Sequence, residues 1–213
     1  MIKRFSYLTL TFIVVLFLQG CAQKVELQPS VKNEINSIKV DRSILTPQLP
    51  FFMTGSDAVF IGLFGPIGGA VVGSDLSKEE KLAAHLKKSN IDIKEIYLDV
   101  LDKELKHSSF FNNKLSEENA KYILKSTILQ YGLVYHHNIL NSDYKPTMAI
   151  KMELIDTRSA KVIWSDTEFV TSYNNNTPQE ELSKFLDDTE LMKKALGNAS
   201  KEVITPLLEN FNK

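Results

Sequence analysis

The chain has 213 residues, 25 of them lysine or arginine against 26 aspartates and glutamates, so its formal charge is −1. That near-balance excludes a polybasic nucleic-acid binder, and the length suits about one ordinary domain with a real core. One cysteine in the whole chain excludes an intrachain disulfide and a cysteine-based metal site.

The first element is an address. Met1-Ile2-Lys3-Arg4 is a short basic start, residues 5 to 18 are uncharged and apolar, and small Gly20 precedes Cys21, the pattern of a secretory signal. Two other readings compete: an uncleaved transmembrane helix, for which the run falls short of the roughly 20 residues a span needs, and a secreted protein with a chance thiol. Leu18-Gln19-Gly20-Cys21 resembles the bacterial lipobox. The resemblance implies that Cys21 receives diacylglycerol, that residues 1–20 are cut away, and that the new amino terminus is acylated, palmitate being a usual chain. A multi-chain anchor gains about 0.8 kcal/mol per buried CH₂ and holds its protein on a membrane. Loss of Lys3 and Arg4 leaves the mature chain three more acids than bases. Ala22, rather than aspartate, after the cysteine resembles the outer-membrane sorting pattern of that family, with the domain facing the periplasm.

Residues 21–34 read as a lipidated, flexible tether, polar and without periodicity around Pro29. A single domain over 35–213 follows. Ile35, Ile38 and Val40 predict a first short strand, and Pro47 and Pro50 an irregular stretch after it. Residues 57–73, DAVFIGLFGPIGGAVVG, form a Gly-rich apolar insert with Gly65, Gly69 and Gly73 at four-residue spacing. Such spacing lets backbones approach closely, which makes these glycines candidates for a membrane or oligomer contact. The alternative is a loop or short helix packed inside the domain, since Pro66 interrupts the middle.

Ser77-Lys78-Glu79-Glu80 is a capping box opening a helix to about Lys88. Asp92 with Glu95 repeats the device, and Ile93, Ile96, Tyr97, Val100, Leu101 and Leu105 give that second helix one apolar face ending near His107. Tyr122 to Tyr135 predicts a long strand in which Gly132 marks a bulge. Over 147–156, Met148, Ile150, Met152 and Leu154 alternate with Lys151 and Glu153, the pattern of a strand with one solvated face. Residues 157–160 turn it into a hairpin with 161–171. Thr177-Pro178-Gln179-Glu180 predicts a helix start. A terminal helix follows Asp187-Asp188, with Leu191, Ala195, Ala199, Val203 and Leu207 on its apolar side and a kink at Pro206.

The order predicts an α+β fold, a mainly antiparallel sheet with helices packed on one face. Residues 120–124, AKYIL, and 156–164, DTRSAKVIW, resemble the strand entry and the Asp-x-x-Thr-Gly-Lys-x-x-Trp hairpin of the curli-secretion and penicillin-binding-protein-activator lipoproteins. Ser159-Ala160 stands where that group has Thr-Gly, and alanine is strained at a turn position of positive φ.

No catalytic constellation emerges. The acidic doublets at 79–80, 117–118, 180–181 and 187–188 sit mostly where helices begin and negative charge suits the macrodipole. His136 and His137 point to opposite strand faces, and His85 and His107 lie elsewhere, so no metal set forms. Trp164 reads as core packing and residues 174–176, three asparagines, as a polar loop. The expectation is a non-enzyme with no cofactor: a membrane-anchored protein-binding or scaffold component of an envelope machine, held through lipid on Cys21, with an envelope protein or a second copy as partner and no nucleic acid. A self-assembling secretion or transport component is the alternative.

Overall fold

The computed structural model describes residues 24–53, 76–137, 142–171 and 177–212. Six strands form one sheet: β1 (Ile38–Val40), β2 (Phe51–Met53), β3 (Tyr122–His137), β4 (Ser142–Asp156), β5 (Lys161–Val170) and β6 (Glu180–Glu181). The helices are α1 (Pro29–Glu34), α2 (Lys78–Lys88), α3 (Ile93–His107), α4 (Leu182–Asp187) and α5 (Thr189–Asn212). The three long strands pair antiparallel in the order β3-β4-β5. The sheet is nonetheless mixed, because β1 and β2 both run parallel to β3, one along its start and one along its end. Between them Leu45 bridges Thr127, and Ile128 N donates to Leu45 O at 2.9 Å, so the stretch read as irregular lines the β3 edge.

α2 and α3 start as their sequences dictate. Ser77 Oγ accepts from Glu80 N at 3.2 Å while Ser77 N donates to Glu80 Oε2 at 2.7 Å, closing the capping box and satisfying two orphan groups. Asp92 Oδ1 caps α3 by accepting from Lys94 N at 2.8 Å. Tyr97, Leu101 and Leu105 on α3 are buried, and so are Met148, Ile150, Met152 and Leu154 on β4. α5 lies against β4 and β5, and α3 packs on α5, so these two helices layer on one sheet face. Each such side chain taken from water stabilises by roughly 1.5–3 kcal/mol. Trp164 joins this core, edge-on to Phe211 with ring centroids 5.0 Å apart, and Phe110 and Phe111 pack on the same ring. α5 runs through Pro206 as one element. One buried polar pair goes unpaid: neither Tyr97 Oη nor Ser126 Oγ has a hydrogen-bond partner, and burial pushes the Tyr97 phenol up, tempered by Ser126 nearby.

Two expectations are corrected. Gly132 marks no bulge; the register shift lies between Ile128 and Gln130, at Leu129. Gly132 has φ of +147° because Phe51 on β2 crosses it so closely that a Cβ there would meet Phe51 O at 1.9 Å. Thr177 starts no helix: Glu180 and Glu181 pair with Tyr144 and Asp143 of β4, and α4 begins only at Leu182, with Glu181 as its N-cap residue. The free edge of the first residues of β4 draws this segment into the sheet, overriding the local Pro-Gln-Glu signal.

The hairpin turn has the strained residue its sequence announces. Ala160 has φ of +55°. Asp156 Oδ1 accepts from Arg158 N at 2.8 Å and Ser159 N at 3.0 Å, and these amides, Ser159 first, hold its carboxyl below the usual range. A left-handed backbone costs an L-residue roughly 1–2 kcal/mol that glycine does not pay. Ala160→Gly is therefore expected to raise stability by about 1 kcal/mol in urea denaturation, less the entropy glycine regains when unfolded.

Candidate functional site

Cys21 and the glycines Gly65, Gly69 and Gly73 lie outside the described residues, as do residues 174–176. Several of the described side chains flagged for chemistry hold structural roles. Glu80 is in its capping box, Asp188 Oδ1 accepts from Leu191 N at 2.9 Å at the start of α5, and Glu180 pairs with Lys184 at 2.8 Å. His85 is buried in α2, 3.5 Å from Ser89 Oγ, and burial, seconded by Lys88, lowers its pKa. Among the described residues no three His, Cys, Asp or Glu side chains converge as a metal site. A groove of about 740 Å³ runs between residues 46–48 and the α2–α3 junction, and Asp92 on its wall is already committed to capping α3.

The face of the sheet turned away from α5 is different. Along β3, Tyr122, Leu124, Ser126 and Ile128 are buried, which turns Ile123, Lys125 and Thr127 to the other side. Leu45, opposite Thr127, shares that side and is 58% exposed. Phe51 and Met53 flank buried Phe52 and so join it, both exposed. Leu129, extruded by the bulge, is 46% exposed. On β5, Phe169 lies opposite Ala149 and is 58% exposed, and Val162 lies opposite Ile155. Lys151 and Glu153 on this face pair at 2.7 Å, and Lys39, opposite Ile123, and Lys125 add positive charge to it. Of the described helices α3 and α5 do not lie on this face; Val134, Thr147 and Ser165 on it are buried, and its exposed apolar side chains with an excess of lysine suit a protein surface. Sequence reading missed Leu129 and Phe169. Phe169 had a legible signal, a large aromatic in register with outward Ser165 and Thr167; Leu129 had none, because a bulge is invisible in one sequence.

The N-terminal stretch read as tether is attached from Lys24 onward. Val25 and Ser165 form an antiparallel bridge with both backbone hydrogen bonds, 2.9 and 3.0 Å. Lys24 Nζ pairs with Asp166 Oδ2 at 3.2 Å, and Asn210 Nδ2 of α5 donates to the same carboxylate oxygen at 3.3 Å. Leu27 packs against the core, and α1 lies near the start of β3, with Glu34 paired to Lys121 at 3.2 Å. No described helix is long and apolar enough to cross a membrane.

An α+β domain with a mixed sheet and with α3 and α5 layered on one of its faces is the class these observations define. No protein-family profile and no curated protein matches the chain. Among solved structures it is similar to a DUF330-family protein from Xanthomonas campestris, with 11% identity over 89% of this chain and 85% of that one and a TM-score of 0.46. It is also similar to PelC, solved as a dodecamer, from Paraburkholderia phytofirmans, with 11% identity over 89% and 94% of the two chains and a TM-score of 0.41. A lipoprotein from Neisseria meningitidis is a third, with 20% identity over 71% and 90% and a TM-score of 0.26. Lipoproteins are thus among the chains this one resembles, and no residue role passes from any of them.

Proposed function

We propose that the protein is a lipid-anchored lipoprotein of the cell envelope, held in the outer membrane through Cys21 with its domain in the periplasm, and that it binds another envelope protein without chemistry of its own. Residues 1–20 are the signal peptide, 21–34 the lipidated lead-in and 35–213 the binding domain. The observation that carries the binding role is the sheet face turned away from α5, which bears exposed Leu45, Phe51, Met53 and Leu129. Its occupant is a protein with an apolar patch flanked by acidic groups, because the exposed apolar side chains share this face with Lys39 and Lys125 beside the Lys151–Glu153 pair. Tethering on one membrane raises the effective concentration of such a partner without new contacts.

The test is a photo-reactive residue placed at Leu129 in growing cells, with Lys103 on the exposed side of α3 as control. The expected result is an adduct to a different envelope protein from position 129 and none from 103. Adducts chiefly between copies would favour a self-assembling transport component, in which Gly65, Gly69 and Gly73 are the contact to examine next. No adduct from 129 would remove the binding surface.

A further inference from the structure

The attachment of residues 24 and 25 to β5 fixes where the membrane lies. We infer that the Thr167–Val170 end of β5, with Phe169 foremost, rests on the lipid surface, so that the domain sits against the membrane on a short leash instead of standing off on a flexible one. The inference rests on the lipid-anchor reading of Cys21.

The leash is short by counting bonds. Val25 is fixed to Ser165 by two backbone hydrogen bonds, and Lys24 to Asp166, a carboxylate that is almost wholly buried and also bound by Asn210. From Lys24 back to Cys21 there are three residue steps, which extend to at most about 11 Å whatever their conformation. The bridge is antiparallel, so Lys24 lies on the Asp166 side of it, the side on which β5 continues to Phe169. Phe169 is three residues beyond Asp166, about 10 Å along a strand. A lipid on Cys21 therefore brings the bilayer surface to the β5 edge of the sheet at Phe169, while β3, β4 and β6 continue past this row. What stands there suits it: an aromatic side chain 58% exposed. The opposite edge, with β2 and Leu49, lies three strand spacings away, about 14 Å. The open face then stands upright from the membrane, accessible to a partner from the side.

The experiment uses the full lipidated chain in vesicles of phosphatidylethanolamine and phosphatidylglycerol with brominated acyl chains. Phe169→Trp and Leu49→Trp each add one tryptophan to buried Trp164, whose own signal is subtracted with the wild type. The added fluorescence at 169 is expected to be largely lost in brominated vesicles, and that at 49 retained. Inserting ten Gly/Ser residues between Gln23 and Lys24 adds a coil of roughly 17 Å and should restore the signal at 169. Equal quenching at both positions, no quenching at 169, or quenching that survives the insertion overturns the inference. The mass of the N-terminal peptide is read on the same sample: lipid present with no quenching defeats the short leash alone, whereas lipid absent defeats the anchor and the leash together.

Discussion

Gly132→Val is expected to destabilise the fold by about 3 kcal/mol or more and to release β2 from the sheet. The new Cβ would stand 1.9 Å from Phe51 O, a backbone atom that cannot swing aside as a side-chain tip could. Valine at φ of +147° adds conformational strain of roughly 1–3 kcal/mol. Relief requires β2 to move, and β2 carries Phe52, buried and stacked on Tyr144 at 5.6 Å. Against a typical total stability of about 5–15 kcal/mol the loss is severe. A lowered urea midpoint together with earlier hydrogen exchange at residues 51–53 is the expected signature. A variant as stable as the parent would mean that β2 does not cross Gly132 as described.

The second large effect is expected at Trp164→Ala, at about 3–5 kcal/mol. The indole is 2% exposed and meets Phe211 of α5 edge-on, so its removal opens a cavity between the sheet and the terminal helix. Phe110 and Phe111, each with its ring centroid 4.9 Å from that of Phe211, help hold that ring in place and limit collapse into the gap. Trp164→Phe should recover most of the loss by conserving aromatic volume. A Trp164→Ala variant within about 0.5 kcal/mol of wild type in urea denaturation would place the residue outside the core, as only surface changes are that mild.

What the sequence made legible was local. The Ser77 capping box, the α3 stripe through Tyr97 and Leu101, and the alternation of Met148, Ile150, Met152 and Leu154 each contain their own cause within a few residues, and each forms as read. The hairpin at 157–160 was likewise local, down to the positive φ at Ala160. The features that escaped depend on chain segments far apart. A glycine in a strand marks either a bulge or a close approach, and only the arrival of Phe51 decides which. β2 is three residues long and owes its existence to the β3 edge, not to its own pattern. Glu180 and Glu181 pair with β4 for the same reason. The attachment of Val25 to Ser165 had no signal in its polar surroundings, since a two-bond bridge needs no periodicity. Of the candidate site, the open face was half visible: its strand alternation could be read, its exposed Leu129 could not.

These findings connect the fold to the proposed role through position. On the proposed reading, the sheet face turned away from α5 receives a partner and the latched residues Lys24 and Val25 set how that face meets the membrane. All of it depends on Cys21 as the anchor. The most direct measurement is the mass and membrane partition of the mature protein and of Cys21→Ala in the same cells. The account predicts a wild-type chain that begins at Cys21, carries diacylglycerol and a further acyl chain, and stays with the membranes, while the variant accumulates as the longer, unlipidated precursor. Normal maturation and membrane retention of Cys21→Ala would contradict it.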